Sequence, residues 1–508
     1  MRRRSGRSVA SFVACNALVA TVAAVGIAYP GTAAAQSPPA APTTIAVGDW
    51  HLTPLLEIRT RAEYRRDAPD LGGFDFYGRL GRRVRDSWVL SERARLGLGV
   101  ERGAVRAQIT LQDARAFGAP VADATVSDTT ARRLPARFEP YEAYLEMRTS
   151  SARPSYLRLG RQAVIWGEGR LIGNADFSPT GRSLDAVRAH VATGNFDFEA
   201  LGVILEVPSP LGSSFRDREG TPRSGVQLFG LTAKWTIDPL LRVEAFGLAR
   251  VSRSDGSALD GSRFAAARLA GETYTTALRV SGDAKGWSYG AEGAYQFGEA
   301  SSLTIGGSKI AAYAAAGHVA KTFPEVALTP TLRLGGSYAS GDDGGGTYKQ
   351  FDPLLADPQR FHGQMDLFAW SNALDMTARA QVVPWTDTSL SLEYRYARLA
   401  EAKGEWIGSY LTAVGSATPG PNYAAAGYAP ITGSDAELGH ELDAAFTWRP
   451  FPLALPLELR AGWSGLLLGD GARRIMSAHA RGATNDANVV NTSKIAHYAF
   501  AQATLTMP

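Results

Sequence analysis

Cysteine is all but missing: the one copy, Cys15, lies in a stretch that reads as a leader and not as structure. The rest of the chain can therefore build neither a disulfide framework nor a cysteine-based metal site. Beyond the leader no run of about 18 apolar residues occurs, which excludes a membrane-spanning helix. Lysine is scarce, confined to Lys234, Lys285, Lys309, Lys321, Lys349, Lys403 and Lys494, so arginine carries nearly all the positive charge. The net charge of +4 is mild and does not suggest nucleic acid as a partner. No Pro/Ser-rich linker divides the chain beyond the short tract 37–44. The seven histidines (His51, His190, His318, His362, His440, His479 and His497) contain no pair at the spacing of a helix-borne metal site. No nucleophile elbow or phosphate loop is present, so neither enzymatic activity nor a metal or other cofactor is expected.

What is there begins with an address. Four arginines in residues 1–7, a largely apolar stretch over 8–27 and Ala33-Ala34-Ala35 before Gln36 have the layout of a secretory signal peptide. Residues 1–35 are expected to be that signal, 36–50 a short periplasmic segment and 51–508 the folded body.

Through that body the dominant period is two. In 286–298, Trp287, Tyr289, Ala291, Gly293, Tyr295 and Phe297 fall on one face, opposite Ser288, Gly290, Glu292, Ala294 and Gln296. The same holds for Leu390, Leu392, Tyr394 and Tyr396 against Ser391, Glu393 and Arg395, and for Leu442, Ala444, Phe446 and Trp448 against Glu441, Asp443, Thr447 and Arg449. A strand sorts such residues onto two faces, whereas a helix scatters them.

Strands are predicted at 52–64, 89–101, 104–115, 140–148, 155–166, 185–193, 196–207, 225–237, 240–251, 273–283, 286–298, 309–322, 327–339, 374–384, 388–399, 440–449, 455–467 and 495–507. That makes about 18, each long enough for a tilted strand to cross a bilayer. Even-numbered gaps are short, such as Arg102-Gly103 and Gly194-Asn195, and odd-numbered gaps are mostly long, including 167–184 and 340–373. Tight turns at one end and long loops at the other are the layout of an all-β transmembrane antiparallel barrel in the outer membrane, with short periplasmic turns and long extracellular loops. Two aromatic girdles are expected, Trp235, Trp287, Trp385 and Trp448 at the short-turn end and Trp88, Trp166 and Trp370 at the other.

With apolar residues turned to lipid, their alternates line the lumen. These include Arg59, Arg61, Arg93, Arg95, Arg106, Arg158, Arg188, Arg242, Arg333, Arg379, Arg395, Arg449 and Arg460, interleaved with acids such as Glu57, Glu63, Glu146, Glu199, Glu393, Asp443 and Glu458. Charged groups at membrane depth are tolerated only facing water or one another. Two readings stay open: a salt-bridged lining that keeps a large barrel polar, or an electropositive track for an anionic solute, to which arginine's planar fork is suited.

Residues 157–188, LRLGRQAVIWGEGRLIGNADFSPTGRSLDAVR, and residues 340–372, SGDDGGGTYKQFDPLLADPQRFHGQMDLFAWSN, resemble the alginate-export family of outer-membrane barrels. With the strand count and loop layout, the likeness covers essentially the whole body. The resemblance implies an arginine-lined lumen that conducts an anionic polysaccharide, loops that lid the barrel, and site roles for Arg161, Gln162, Glu168, Arg170, Asp176, Arg182, Asp185 and Arg188. The glycines Gly167, Gly169, Gly173 and Gly181 would let the first loop fold tightly, even inward as a constriction. Expected partners are outer-membrane lipid and lipopolysaccharide, the anionic polysaccharide or a small anion, and periplasmic export proteins. The alternatives are a porin for uptake of small anionic or sugar solutes, and a barrel with a filled lumen in a structural or surface-enzyme role. Two departures from the family pattern stand out: the turn 450–456 is short where a relative could carry a plugging turn, and the last strand ends in Met507-Pro508 and not an aromatic.

Overall fold

Alternating residues that face lipid and lumen can satisfy their backbone groups only if the sheet closes, since an open edge in hydrocarbon leaves amides without partners. The computed structural model closes it. Residues 44–67, 86–117, 137–206, 225–252, 270–301, 308–408, 413–416, 436–451, 456–484 and 493–507 are described. The expected signal peptide and parts of several long loops lie outside them.

The ring comprises β1 (Trp50–Arg66), β2 (Asp86–Arg102), β3 (Val105–Phe117), β4 (Arg137–Arg148), β5 (Tyr156–Gln162), β6 (Leu184–Thr193), β7 (Phe196–Glu206), β8 (Val226–Asp238) and β9 (Leu241–Ser252). It continues through β10 (Ala270–Ala284), β11 (Trp287–Ser301), β12 (Ser308–Thr322), β13 (Thr331–Ala339), β14 (Ala373–Val382), β15 (Thr388–Arg398), β16 (Glu437–Trp448), β17 (Leu457–Leu468) and β18 (Ile495–Met507). Each strand pairs antiparallel with the next, and β18 returns to β1 in the register Ile58↔Leu505 and Ala62↔Ala501. The result is a closed 18-stranded barrel. Two short strands, Ile45–Val47 and Thr347–Tyr348, pair with this sheet outside the ring.

Short turns use left-handed backbone where needed: Gly103, Gly194, Lys285 and Gly286 all have positive φ. The outer face is apolar. Leu96, Leu231, Leu278, Trp287, Leu334, Met376 and Leu392 are among its exposed side chains.

Three parts of the chain differ from the sequence reading. β5 stops at Gln162 and not near 166: Gly160 takes φ +120°, and the chain then turns into the lumen. Trp166 and Trp370 consequently leave the girdle and are buried at 6% and 1% exposure, whereas Trp88, Trp235 and Trp287 stand out at the surface. The third difference is α1 (Asp470–Thr484), a helix in what reads as a long loop. Ala472, Ile475 and Met476 face one way at helical spacing and pack with Leu438, Leu466 and Tyr498 at the loop end of the barrel.

Candidate translocation path

Two loops enter the lumen. Loop 163–183 carries Val164, Trp166, Leu171 and Ile172, all buried against Leu201, Leu228 and Leu248 of the wall. Loop 340–372 brings Phe351, Leu354, Leu355 and Trp370 into the same cluster. Their room comes from a row of small side chains: Ala277, Ala294, Ala314, Ala339 and Ala373 lie side by side in register across β10 to β14. The loops are stitched to each other. Ile172 and Leu355 form a parallel bridge, Gly173 N–H donates to Leu355 O (2.8 Å), and Asp357 N–H donates to Gly169 O (2.8 Å). Gly173 is required here, because a Cβ on it would stand 2.7 Å from the Cβ of Asp357. Arg182 donates to Gly173 O (3.1 Å) and Ala356 O (2.9 Å), tying both loops with one guanidinium.

Strands β1 and β2 hold the other side of the first loop. Arg59 donates to Asp176 O and Ser178 O, each at 2.7 Å, and Arg61 donates to Phe177 O (2.6 Å) while its guanidinium lies 4.0 Å over the Phe177 ring. Arg93 donates to Glu57 (2.7 Å) and to Asp176 O (3.1 Å). Arg95 donates to the Asp176 carboxylate (3.1 Å) and to Thr180 O (3.3 Å), stacked 3.4 Å over Tyr141. Burial alone would push the Asp176 carboxyl up, but Arg93, Arg59 and Arg95 outweigh it and hold the group below its ordinary range.

Segment 357–366 of the second loop is fastened to β1, β15 and β16. Arg65 donates to Met365 O (2.6 Å) and Arg395 to Phe361 O (2.8 Å), while Gln364 N–H donates to Asp443 (3.2 Å) and Met365 N–H to Glu441 (3.3 Å). Arg170 from the first loop lies 4.0 Å over the Phe361 ring. His362 is buried with Nδ1 3.4 Å from the Asp375 carboxylate, to which Ser337 donates. The carboxylate thus stands between hydroxyl and imidazole, so His362 cannot take the Ser337 proton as a catalytic base would. Asp342 and Asp343 do not form a cation cage: Asp343 pairs with Lys349 (2.6 Å) and Asp342 accepts the Lys349 N–H (3.0 Å).

Between the loops and the wall a cavity of about 510 Å³ remains. Arg59, Arg93, Arg360, Arg379 and Arg460 line it, with the carboxylates Glu57, Asp176, Asp357, Glu393, Asp443 and Glu458. Among the described residues, no carboxylate lies within ion-pair distance of Arg360, Arg379 or Arg460, nor of Arg333, which pairs in register with Arg379.

The residues singled out from sequence therefore fall into groups. Arg59, Arg61, Arg93 and Arg95 face the lumen and tether the first loop. Arg158 pairs with Glu146 and Arg188 with Glu199, each at 2.7 Å, on the wall of β4 to β7. Arg242 pairs with Asp283 and Arg449 with Glu458, both at 2.7 Å near short turns. Arg395 is buried on Asp375 (2.9 Å), and Arg170 and Arg182 sit between the loops. Glu168 pairs with Arg279 (2.8 Å), and Gln162 is buried with its amide donating to Ala186 O (3.2 Å). Arg161 and Asp185 do not line the lumen: they pair at 3.1 Å on the outer face. The reason is parity. Arg158 and Arg161 are three residues apart on an extended strand, as are Asp185 and Arg188, so only one of each pair can point inward. The tethering of loop carbonyls had no side-chain signature, since any residue supplies a carbonyl. The helix did have one, in the spacing of Ala472, Ile475 and Met476.

A closed barrel of this size, apolar outside and polar along half its interior, defines an outer-membrane channel. The chain belongs to the alginate export family, whose model matches residues 55–473. In fold it is similar to crystal structures of Pseudomonas aeruginosa OccK9 (OpdG), at TM-score 0.51 and 12% identity, covering 90% of this chain and 98% of that one. Acinetobacter baumannii OccAB2 (TM-score 0.50, 12% identity, 89% and 97% covered) and OccAB1 (0.50, 11%, 90% and 97%) are similar to the same degree. No curated protein sequence matches this chain.

Proposed function

We infer that this channel passively exports a carboxylated polysaccharide of the alginate type. The observation that carries the reading is the set of arginines with no carboxylate at ion-pair distance among the described residues, Arg360, Arg379 and Arg460, on a water-accessible cavity bordered by Arg59 and Arg93. Guanidinium forks replace water around a carboxylate, and the six acids along the same lining keep each contact weak enough to release it. Family membership supports the polysaccharide and the outward direction. Small-solute uptake is the second reading, favoured by the volume left by the interlocked loops: about 510 Å³ falls in the range of roughly 300–1,000 Å³ typical of small-molecule pockets.

The deciding experiment is reversal potential in a planar bilayer under a salt gradient, with and without added oligouronate. Anion preference with current block by the oligomer supports export of a polyanion. Anion preference with block by small carboxylates alone favours uptake, and cation preference with indifference to both sinks the carboxylate reading.

A further inference from the structure

Three guanidinium groups converge on one carboxylate of the chain itself. Arg93 Nη2 and Arg95 Nη1 lie 3.0 and 3.1 Å from Asp176 Oδ1, and Arg59 Nη1 lies 4.0 Å from Oδ2. The three arginine side chains are 5%, 2% and 7% exposed for Arg59, Arg93 and Arg95, whereas the Asp176 side chain is 49% exposed and borders the cavity. The cage is thus rigid and buried, and its occupant is reachable from water. Glu57 neutralises part of the cage, accepting from Arg93 at 2.7 Å and from Arg95 at 3.5 Å. Three cations against Glu57 alone leave an excess of two positive charges, of which one further carboxylate offsets one.

We propose that Arg59, Arg93 and Arg95 form a carboxylate-binding site that Asp176 occupies in the resting channel, and that a passing carboxylate exchanges with it. The proposal rests on the carboxylated-solute reading and deepens it, making Asp176 an internal stand-in for the cargo. The exchange replaces one carboxylate by another, so the net charge of the cage is the same before and after it. Arg59, Arg61 and Arg93 also hold the carbonyls of residues 176–178, and the loop therefore keeps a foothold while its carboxylate is displaced. Displacement loosens the span from Asp176 to Thr180, which Arg95 ties at Thr180 O.

The test uses the full chain in planar bilayers, with tri-galacturonate as probe and neutral maltotriose as control. Asp176→Asn keeps the shape and removes the competing charge. It should lower the half-blocking concentration of tri-galacturonate by about tenfold, the scale of one charge-assisted contact, and leave maltotriose unaffected. Glu458→Gln removes a carboxylate from the same cavity away from the cage, so equal tightening by both variants reduces the effect to general electrostatics and overturns the exchange. Unchanged or weaker block in Asp176→Asn overturns it too. Arg95→Gln gives an independent arm if Asp176→Asn does not fold: weaker block supports the site, and unaltered block overturns it. If tri-galacturonate fails to block the native channel, the function proposed above falls and takes the exchange with it. Block of the native channel with no response to Asp176→Asn removes the exchange alone.

Discussion

The two halves of this lumen are built from different material. From β6 to β13 the inner wall presents Ala186, Leu201, Leu228, Leu248, Ala277, Ala294 and Ala314, and the loops fill it with Trp166, Ile172, Phe351 and Trp370. From β14 round through β18 to β4 it presents Arg379, Glu393, Asp443, Arg460, Arg59, Arg93 and Arg95. Around the loop aromatics the first half is dry and packed like a soluble core, with buried ion pairs such as Arg250–Asp352 set among its apolar groups. The second half packs its own apolar cluster around Leu438, Leu466 and Tyr498 at the loop end and leaves the cavity beside it. Barrel circumference is fixed by strand number, so the bore is set by how much of the interior the loops occupy. Inward alanines make space for loop aromatics, and inward arginines hold the loop by its carbonyls without filling the space beside it.

A charge placed in the dry half should break this division most severely. Ile172→Asp buries a carboxylate with no partner, at a cost of several kcal/mol, and should expel the stitched loops. Single-channel conductance is expected to rise severalfold, and an unchanged conductance would show that the loops do not set the bore. Beside the cavity, Arg360→Ser, Arg379→Ser and Arg460→Ser together should move the reversal potential strongly toward cations. Arg158→Ser with Arg188→Ser removes the same kind of charge from arginines already paired and should move it far less; equal shifts would erase the distinction between structural and conducting arginines.

A smaller effect tests the loop contact. Asp176, facing Arg93, Arg59, Arg95 and Glu57, titrates below its ordinary value, so its hold on the loop is complete above the ordinary carboxylate range and is lost as pH falls through the depressed value. Conductance noise should therefore increase only on strong acidification and should be independent of pH near neutrality. Gly173→Ala forces a Cβ against Asp357 and should cost about 1–3 kcal/mol, read as a lower unfolding temperature. The smallest change is expected from Arg161→Ala on the outer face, within about 1 kcal/mol by thermal unfolding and without effect on ion selectivity.

The strand layout was legible because period two is imposed at every residue by the contrast of lipid and lumen. Trp287, Tyr295 and Phe297 could not be placed otherwise without turning Glu292 into hydrocarbon. The interior was legible in its charges and not in its contacts. Arg93 and Arg95 could be set facing inward by parity, but that they grip the backbone of 176–180 depends on a loop path that no side-chain pattern encodes. The alanine row was readable in principle. Ala277, Ala294, Ala314 and Ala339 fall on inward positions, and small residues there announce that something else fills the space. Arg161 and Asp185 show the opposite error, in which a motif read as a block overrode the alternation that governs each residue in it.

The stitching between loops also orders events in time. Arg182 ties carbonyls 173 and 174 residues further along the chain, and Arg65 reaches Met365 across 300. Arg61 and Gln502 meet across 441 residues, which requires the first and last strands to have joined. Contacts of such sequence separation form late, because the chain must first lose the entropy of the intervening loops. By that rule the closing of the ring, across 441 residues, is the last of these contacts to form, and the loop stitches across 173 and 174 residues come earlier. The bore of the mature channel is therefore a product of contacts between distant parts of the chain, the loops and the closing strands together, and not of any one hairpin alone.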